Sequence, residues 1–154
     1  MSNRTLLFVA HTPSANLQLL QQAFAEGVTN ARCDITLNCR TPAESDAVDV
    51  MTADAIVLLT PENLGYMAGA MKDWFDRVYY PVLEEKQGTP LAVIIRAGHD
   101  GTGTERALRT ITTGLRWRWV QDAMILRGDW RSEWLDDVTQ LGEAIATALD
   151  TGII

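Results

Sequence analysis

The chain predicts a doubly wound α/β sandwich: five parallel strands in the order 2-1-3-4-5, with helices on both faces of the sheet. Three observations carry this. Short apolar runs alternate with helical patterns from end to end of the 154 residues, as stacked strand–helix units do. The runs at 5–10, 55–59 and 91–96 are apolar through their centres, as strands covered on both sides must be. The run at 32–38 instead alternates, with Cys33, Ile35 and Leu37 on one side and Arg32, Asp34, Thr36 and Asn38 on the other. A half-exposed strand belongs at a sheet edge, which places the second strand outside the first.

The elements follow in order. Thr5 to Ala10 is the first strand. Ala15 to Gly27 is a helix, with Leu17, Leu20, Phe24 and Val28 at helical spacing and Gly27 as its stop. After the alternating strand comes a short helix over 42–51. Ala55 to Leu59 is the third strand and 67–82 the helix behind it. The turn Gln87-Gly88-Thr89-Pro90 leads into the fourth strand, Leu91 to Arg96, and a helix over 104–115. The fifth strand falls within 121–126, and the closing helix spans 132–149 with Ser132 as N-cap. Crossovers are expected to be right-handed.

Bulk composition narrows the function classes. Hydrophobic residues make up 47% of the chain, which marks a globular protein. The length predicts one domain over 1–154. No apolar run is long enough to cross a bilayer, and the start runs directly into a strand without a signal segment, so a cytoplasmic protein is expected. A net charge of −7 argues against a nucleic-acid partner, which needs a basic footprint. Cys33 and Cys39 flank a strand too extended to let them pair and are expected to be reduced core thiols.

Several chemistries are absent. There is no GxxxxGK[ST] phosphate loop and no G-x-S-x-G elbow. The two histidines, His11 and His99, lack the spacing of metal ligands. A phosphoacceptor domain with this strand order needs acidic residues where His11-Thr12 and Thr60 stand. No residue is singled out as catalytic.

The densest signal is Thr60 to Arg77, a Pro/Gly-marked loop and helix after the third strand, with Thr60, Pro61, Gly65, Met67, Gly69, Met71, Lys72, Asp76 and Arg77 in fixed positions. This stretch resembles the flavin loop of the NAD(P)H-dependent FMN reductases and quinone reductases of the flavodoxin-like superfamily. That loop reads roughly T/S-P-x-Y/F-x-G-x-M/I-x-G, before a helix ending L/M-K-x-F/W-x-D-R. The resemblance implies a flavodoxin-like fold, FMN as cofactor, NAD(P)H as co-substrate, and a quinone, free flavin or other small molecule as electron acceptor. It also implies a homodimer, for which the late Trp117, Trp119, Trp130 and Trp134 offer an interface; packing between the last strand and helix is the alternative.

In this strand order the loops after strands one, three and four converge. The first, His11-Thr12-Pro13-Ser14-Ala15-Asn16, ends at a helix start, where free N–H groups and the positive dipole end suit a phosphate. It resembles the flavodoxin phosphate loop, roughly S/T-x-T-G-N-T, but has Ala15 for the glycine and Leu17 for the last hydroxyl residue. An ordinary N-cap by Ser14, or by Thr12, is the alternative. In the second loop, Thr60, Pro61, Glu62, Asn63, Leu64 and Gly65 are expected to present amides to a flavin edge, with Tyr66 the nearest aromatic. The third, Ala97 to Gly103, carries Gly98, His99, Gly101 and Gly103, glycines that permit positive φ and close backbone approach. Arg96 beside it would favour a reduced, anionic ring, or else is a surface ion-pair residue. Two other readings accompany the oxidoreductase: an electron-transfer flavodoxin, which would turn over NAD(P)H slowly, and a binding module of this fold that has lost its cofactor.

Overall fold

The computed structural model describes residues 3–154. Its strands are β1 (Arg4–Ala10), β2 (Ile35–Arg40), β3 (Ala55–Asn63), β4 (Tyr66–Met67), β5 (Pro90–Ala97), β6 (Arg118–Trp119) and β7 (Met124–Arg127). Its helices are α1 (Ala15–Asn30), α2 (Ala47–Thr52), α3 (Gly69–Val82), α4 (Thr102–Leu115) and α5 (Glu133–Asp150). The main sheet runs β2-β1-β3-β5-β6, with β7 also on β5 and every pairing in it parallel. The predicted order therefore holds, with one change. The fifth position is shared by two short strands, because Trp119 pairs with Leu91 and Met124 with Ile94, and the surplus residues between Trp119 and Met124 loop out.

Alternation along the three central strands divides the core. Leu6, Phe8, Val57, Leu59 and Ile94 face α1 and α5. Leu7, Val9, Ile56, Leu58, Val93 and Ile95 face α2, α3 and α4. Both faces are apolar for this reason, which is why these strands show no polar alternation.

Four local expectations are corrected. Gly27 does not end α1, which continues to Asn30. Its missing side chain instead admits α5: a methyl group there would collide with the Thr139 carbonyl, and one at Gly142 would meet the Phe24 carbonyl at α1. The helix expected over 42–51 begins only after Asp46, whose carboxylate accepts from the Val48 N–H at 3.0 Å while Asp49 accepts from the Asp46 N–H at 3.2 Å. That reciprocal cap fixes the start. Ser132 precedes α5 but makes no capping bond. Cys39 is exposed and Cys33 half-buried, so neither is a core thiol, and both are free.

The tryptophans are largely interior. Trp117 is buried, 6.3 Å from Trp74 and 6.2 Å from Phe75 between ring centres. Trp119 donates from Nε1 to Thr112 Oγ1 at 2.8 Å, and Trp130 meets Trp134 edge-on at 5.6 Å. Trp117 and Trp119 thus pack against α3 and α4 rather than between the last strand and helix, and only Trp130 and Trp134 meet at α5. No helix among the described residues is long and apolar enough to cross a membrane.

Candidate functional site

The parallel register sets where the loops emerge. Ala10 pairs with Leu59, and Thr60 with Ile95, so β1, β3 and β5 end at one rim. Neighbouring strands lie about 4.8 Å apart, which brings the outer two of these chain exits within about 10 Å. The His11 N–H donates to the Leu59 carbonyl at 3.0 Å and ties the first loop to the second.

The first loop is an N-terminal cap with donors left over. Ser14 Oγ accepts from the Leu17 N–H at 3.2 Å. A hydroxyl has one proton and two lone pairs, so the Ser14 proton stays free to meet an anion. Ala15 and Asn16 open α1, where N–H groups have no acceptor within the helix. Thr12 is committed elsewhere: its hydroxyl donates to Gln21 Oε1 at 2.9 Å, and its carbonyl accepts from Gln18 Nε2 at 3.4 Å. Gln18 and Gln21 hold this loop on the helix that follows. His11 is half-buried, and that burial lowers its pKa below the ordinary histidine value.

The second loop is a hairpin. β3 runs on through Pro61 to Asn63 and folds back, Glu62 pairing with Met67 and Asn63 with Tyr66. Leu64 and Gly65 form the turn with φ of 54° and 78°, the pattern of a two-residue type I′ hairpin. Glycine suits this turn and leucine strains it, yet Leu64 stands fully exposed at the tip. Thr60 is buried and holds the base: its hydroxyl donates to the Pro61 carbonyl at 2.8 Å and accepts from the Ala68 N–H at 3.1 Å. Tyr66 is 39% exposed.

The third loop closes against that hairpin. A methyl group on Gly103 would collide with the Gly65 carbonyl, so hairpin turn and helix start touch because residue 103 is glycine. Gly101 has φ of 74°, and a methyl group there would lie 2.6 Å from Ile125. Asp100 accepts from the Thr102 N–H at 3.1 Å and the Thr102 hydroxyl at 3.0 Å. Those two bonds, the backbone one foremost, hold its carboxyl below the usual carboxylate range.

Between the second and third loops lies a groove of about 490 Å³, lined by Glu62, Leu64, Gly65, Gly98, His99, Asp100 and Gly103. A methyl group on Gly98 would meet nothing within 4 Å, so the groove beside it is open. The size falls within the roughly 300–1,000 Å³ of small-molecule sites. The residues of the first loop stand at the same rim but do not line this groove. Arg96 is not part of it either. It lies over the Trp134 ring at 4.8 Å and donates to the Ala97 and Leu126 carbonyls at 2.8 and 3.2 Å. It is therefore neither a surface ion-pair residue nor a lining cation.

The groove and the open helix start fit FMN: a slot with glycine and backbone at its walls for a flat ring, and uncommitted donors for an anionic tail. Comparison with known proteins agrees. The family model for NADPH-dependent FMN reductase matches residues 47–131, more than half of the chain and including the hairpin, α3 and the third loop. The chain belongs to that family. It is a flavoprotein of flavodoxin-like fold, an oxidoreductase or electron-transfer protein.

Solved structures agree on the fold. An archaeal flavodoxin is similar at 15% identity, with 94% of this chain and 98% of that one covered and a TM-score of 0.79. The two-electron reduced flavodoxin of Megasphaera elsdenii is similar at 16% identity, 93% and 99% coverage, and a TM-score of 0.76. An NADPH-quinone reductase from P. pentosaceus is similar at 14% identity, 93% and 97% coverage, and a TM-score of 0.65. No curated protein matches this chain in sequence.

Sequence reading missed Asp100, Gln18 and Gln21. Asp100-Gly101-Thr102 carries the signature of a side chain bonding its own backbone two residues on. The glutamines carry no local signal, because they lie one and two turns into α1.

Proposed function

We propose that the chain binds FMN at this rim and passes electrons from NAD(P)H to a quinone, a free flavin or another small acceptor. One observation carries the reading: the Gly98-walled groove between the 64–65 turn and the 98–103 loop opens at the rim where α1 begins. In this reading the Ser14 hydroxyl, the Asn16 side chain and the N–H groups of Ala15 and Asn16 hold the phosphate. Thr12 acts indirectly, by fixing the loop to Gln21. The hairpin from Thr60 to Tyr66 and the loop from Gly98 to Gly103 hold the ring.

Bound FMN would supply hydride acceptance and its return to the acceptor; the protein positions and tunes it. The residues at hand are of positioning type. Thr60 buttresses the hairpin base, Gly103 lets the hairpin close on α4, and the acidic side chains of Asp100 and Glu62 line the groove. A carboxylate there opposes a negative charge on the guest and so lowers its midpoint potential.

The test is a visible spectrum of the purified protein after FMN addition, followed by anaerobic NADPH and then a quinone. The proposal predicts stoichiometric flavin uptake, rapid bleaching by NADPH and recovery of colour with quinone. Uptake with slow bleaching would instead mark an electron carrier. A protein that takes up no FMN would be the cofactor-free binding module.

A further inference from the structure

Leu64 is an apolar side chain that stands clear of the rest of the chain. It is fully exposed at the hairpin tip, in a left-handed conformation that leucine adopts only under strain. Tyr66, two residues on, is exposed as well. The Lys72 pKa is raised, mainly by its bond to Asp76 and in smaller part by the Tyr66 phenol, which sets Tyr66 beside the first turns of α3. Further along that helix Tyr80 is 79% exposed, its ring edge-on to Tyr79 at 5.1 Å. Exposed apolar and aromatic residues thus run from the hairpin tip along α3.

The same face holds a recess. Lys72, Phe75, Asp76, Tyr79, Tyr80 and Ile111 enclose about 230 Å³ between α3 and α4, less than the roughly 300–1,000 Å³ of small-molecule sites. Its size and aromatic walls suit a large apolar side chain rather than a cofactor. Charge separates this face from the opposite one. Each charged residue of α3 is matched within the helix, Lys72 with Asp76 at 2.6 Å and Arg77 with Asp73 at 2.9 Å. α1 and α5 instead carry Glu26, Glu133, Asp136, Asp137, Glu143 and Asp150, and no Lys or Arg. In a chain of net charge −7, two copies repel each other through α1 and α5 and meet without that repulsion through α3.

We propose that two copies of this chain associate about a two-fold axis through the hairpin tip and the α3–α4 face, with Leu64 of each copy entering the recess at Phe75 and Tyr80 of the other. A two-fold interface uses one patch twice, so the inserting side chain and the recess that takes it must share a surface. Leu64 and the α3–α4 recess meet that condition. The interface lies away from the late tryptophans, which pack within the chain. Because Leu64 also borders the groove at Gly98, the second copy stands at the mouth of that groove.

The test is sedimentation velocity of the purified chain with FMN added, over a dilution series reaching about 100 μM, for the wild type, Leu64→Asn, Tyr80→Glu and Leu19→Asn. The wild type is expected to sediment as a dimer. Leu64→Asn should weaken dimerisation at least ~100-fold, because a two-fold interface loses the burial of two leucine side chains at once. Asparagine before glycine is the favoured pair for this turn, so that variant keeps its fold, which far-UV circular dichroism checks. Tyr80→Glu places a charge at the rim of the recess and should also give monomer. Leu19 is an exposed apolar residue of α1, on the opposite face, and Leu19→Asn should remain a dimer. A wild type that stays monomeric throughout the series would overturn the proposal. So would a Leu64→Asn or Tyr80→Glu variant that dimerises as tightly as the wild type, or dissociation by Leu19→Asn. Each of these results leaves the flavin reading in place, since that reading is tested by colour and not by mass.

Discussion

Gly98 and Gly103 have opposite duties in one groove. Gly103 is required by packing, since any side chain would drive the Gly65 carbonyl away. Gly98 has space around it, and its lack of a side chain serves whatever enters. Replacing Gly98 with Leu should leave thermal stability within about 0.5 kcal/mol, as for surface substitutions away from special features. It should weaken FMN binding at least ~10-fold by standing in the ring's place, read by flavin fluorescence titration. Loss of stability together with binding would show that Gly98 serves the fold instead. His11 offers a pH test. Burial lowers its folded pKa below the ordinary value near 6.5, so between the two values the unfolded chain holds a proton that the folded one refuses. Stability should therefore rise with pH through that window and be fully present above it. Urea midpoints at several pH values should show this slope in the wild type and a shallower one in His11→Asn. At this scale Gly101 and Gly103 were legible as places of positive φ and close approach, whereas Gly27 was read as a helix stop and Gly98 shows neither property. The partners of Thr12 were not legible, because Gln18 and Gln21 lie six and nine residues away and leave no local pattern.

The resembling motif acquires a mechanical meaning at the level of elements. Trp74 on α3 donates from Nε1 to Ser45 Oγ at 2.9 Å, and both residues are fully buried. Arg77 donates to the Ser45 and Pro42 carbonyls at 2.8 and 2.6 Å, and Lys72 pairs with Asp76 at 2.6 Å. The helix thus clamps the turn between β2 and α2, while its first residues follow the hairpin. Trp74→Phe would leave the Ser45 hydroxyl buried without a donor and should cost about 1–3 kcal/mol in unfolding free energy. Trp74→Phe with Ser45→Ala should recover part of that loss, and no recovery would mean that ring volume alone matters. The strand at 55–59 was legible from its apolar run, but its extension through Pro61 was not. Proline and a polar Glu-Asn pair read as a loop, whereas the structure pairs Pro61 with Arg96 and turns at Leu64-Gly65. Leucine at positive φ is the reason, since a type I′ turn is normally announced by asparagine or aspartate before the glycine.

For the whole molecule, the order of the sheet was legible because two kinds of strand differ in what covers them: apolar throughout at the centre, alternating at the edge. The split of the last strand was hidden, because Arg118-Trp119 is too short to show a period. The meeting of three distant loops follows from strand order, whereas the groove between two of them depends on contacts such as Gly103 with Gly65. The central claim is that these segments together receive one flat guest with an anionic tail. Its most direct test is a map of backbone amide shifts in the labelled protein as FMN is added. The account predicts perturbations concentrated at residues 12–16, 60–66 and 98–103, saturating together at one equivalent. Shifts confined to one of these segments, or centred on another face such as α5, would contradict it.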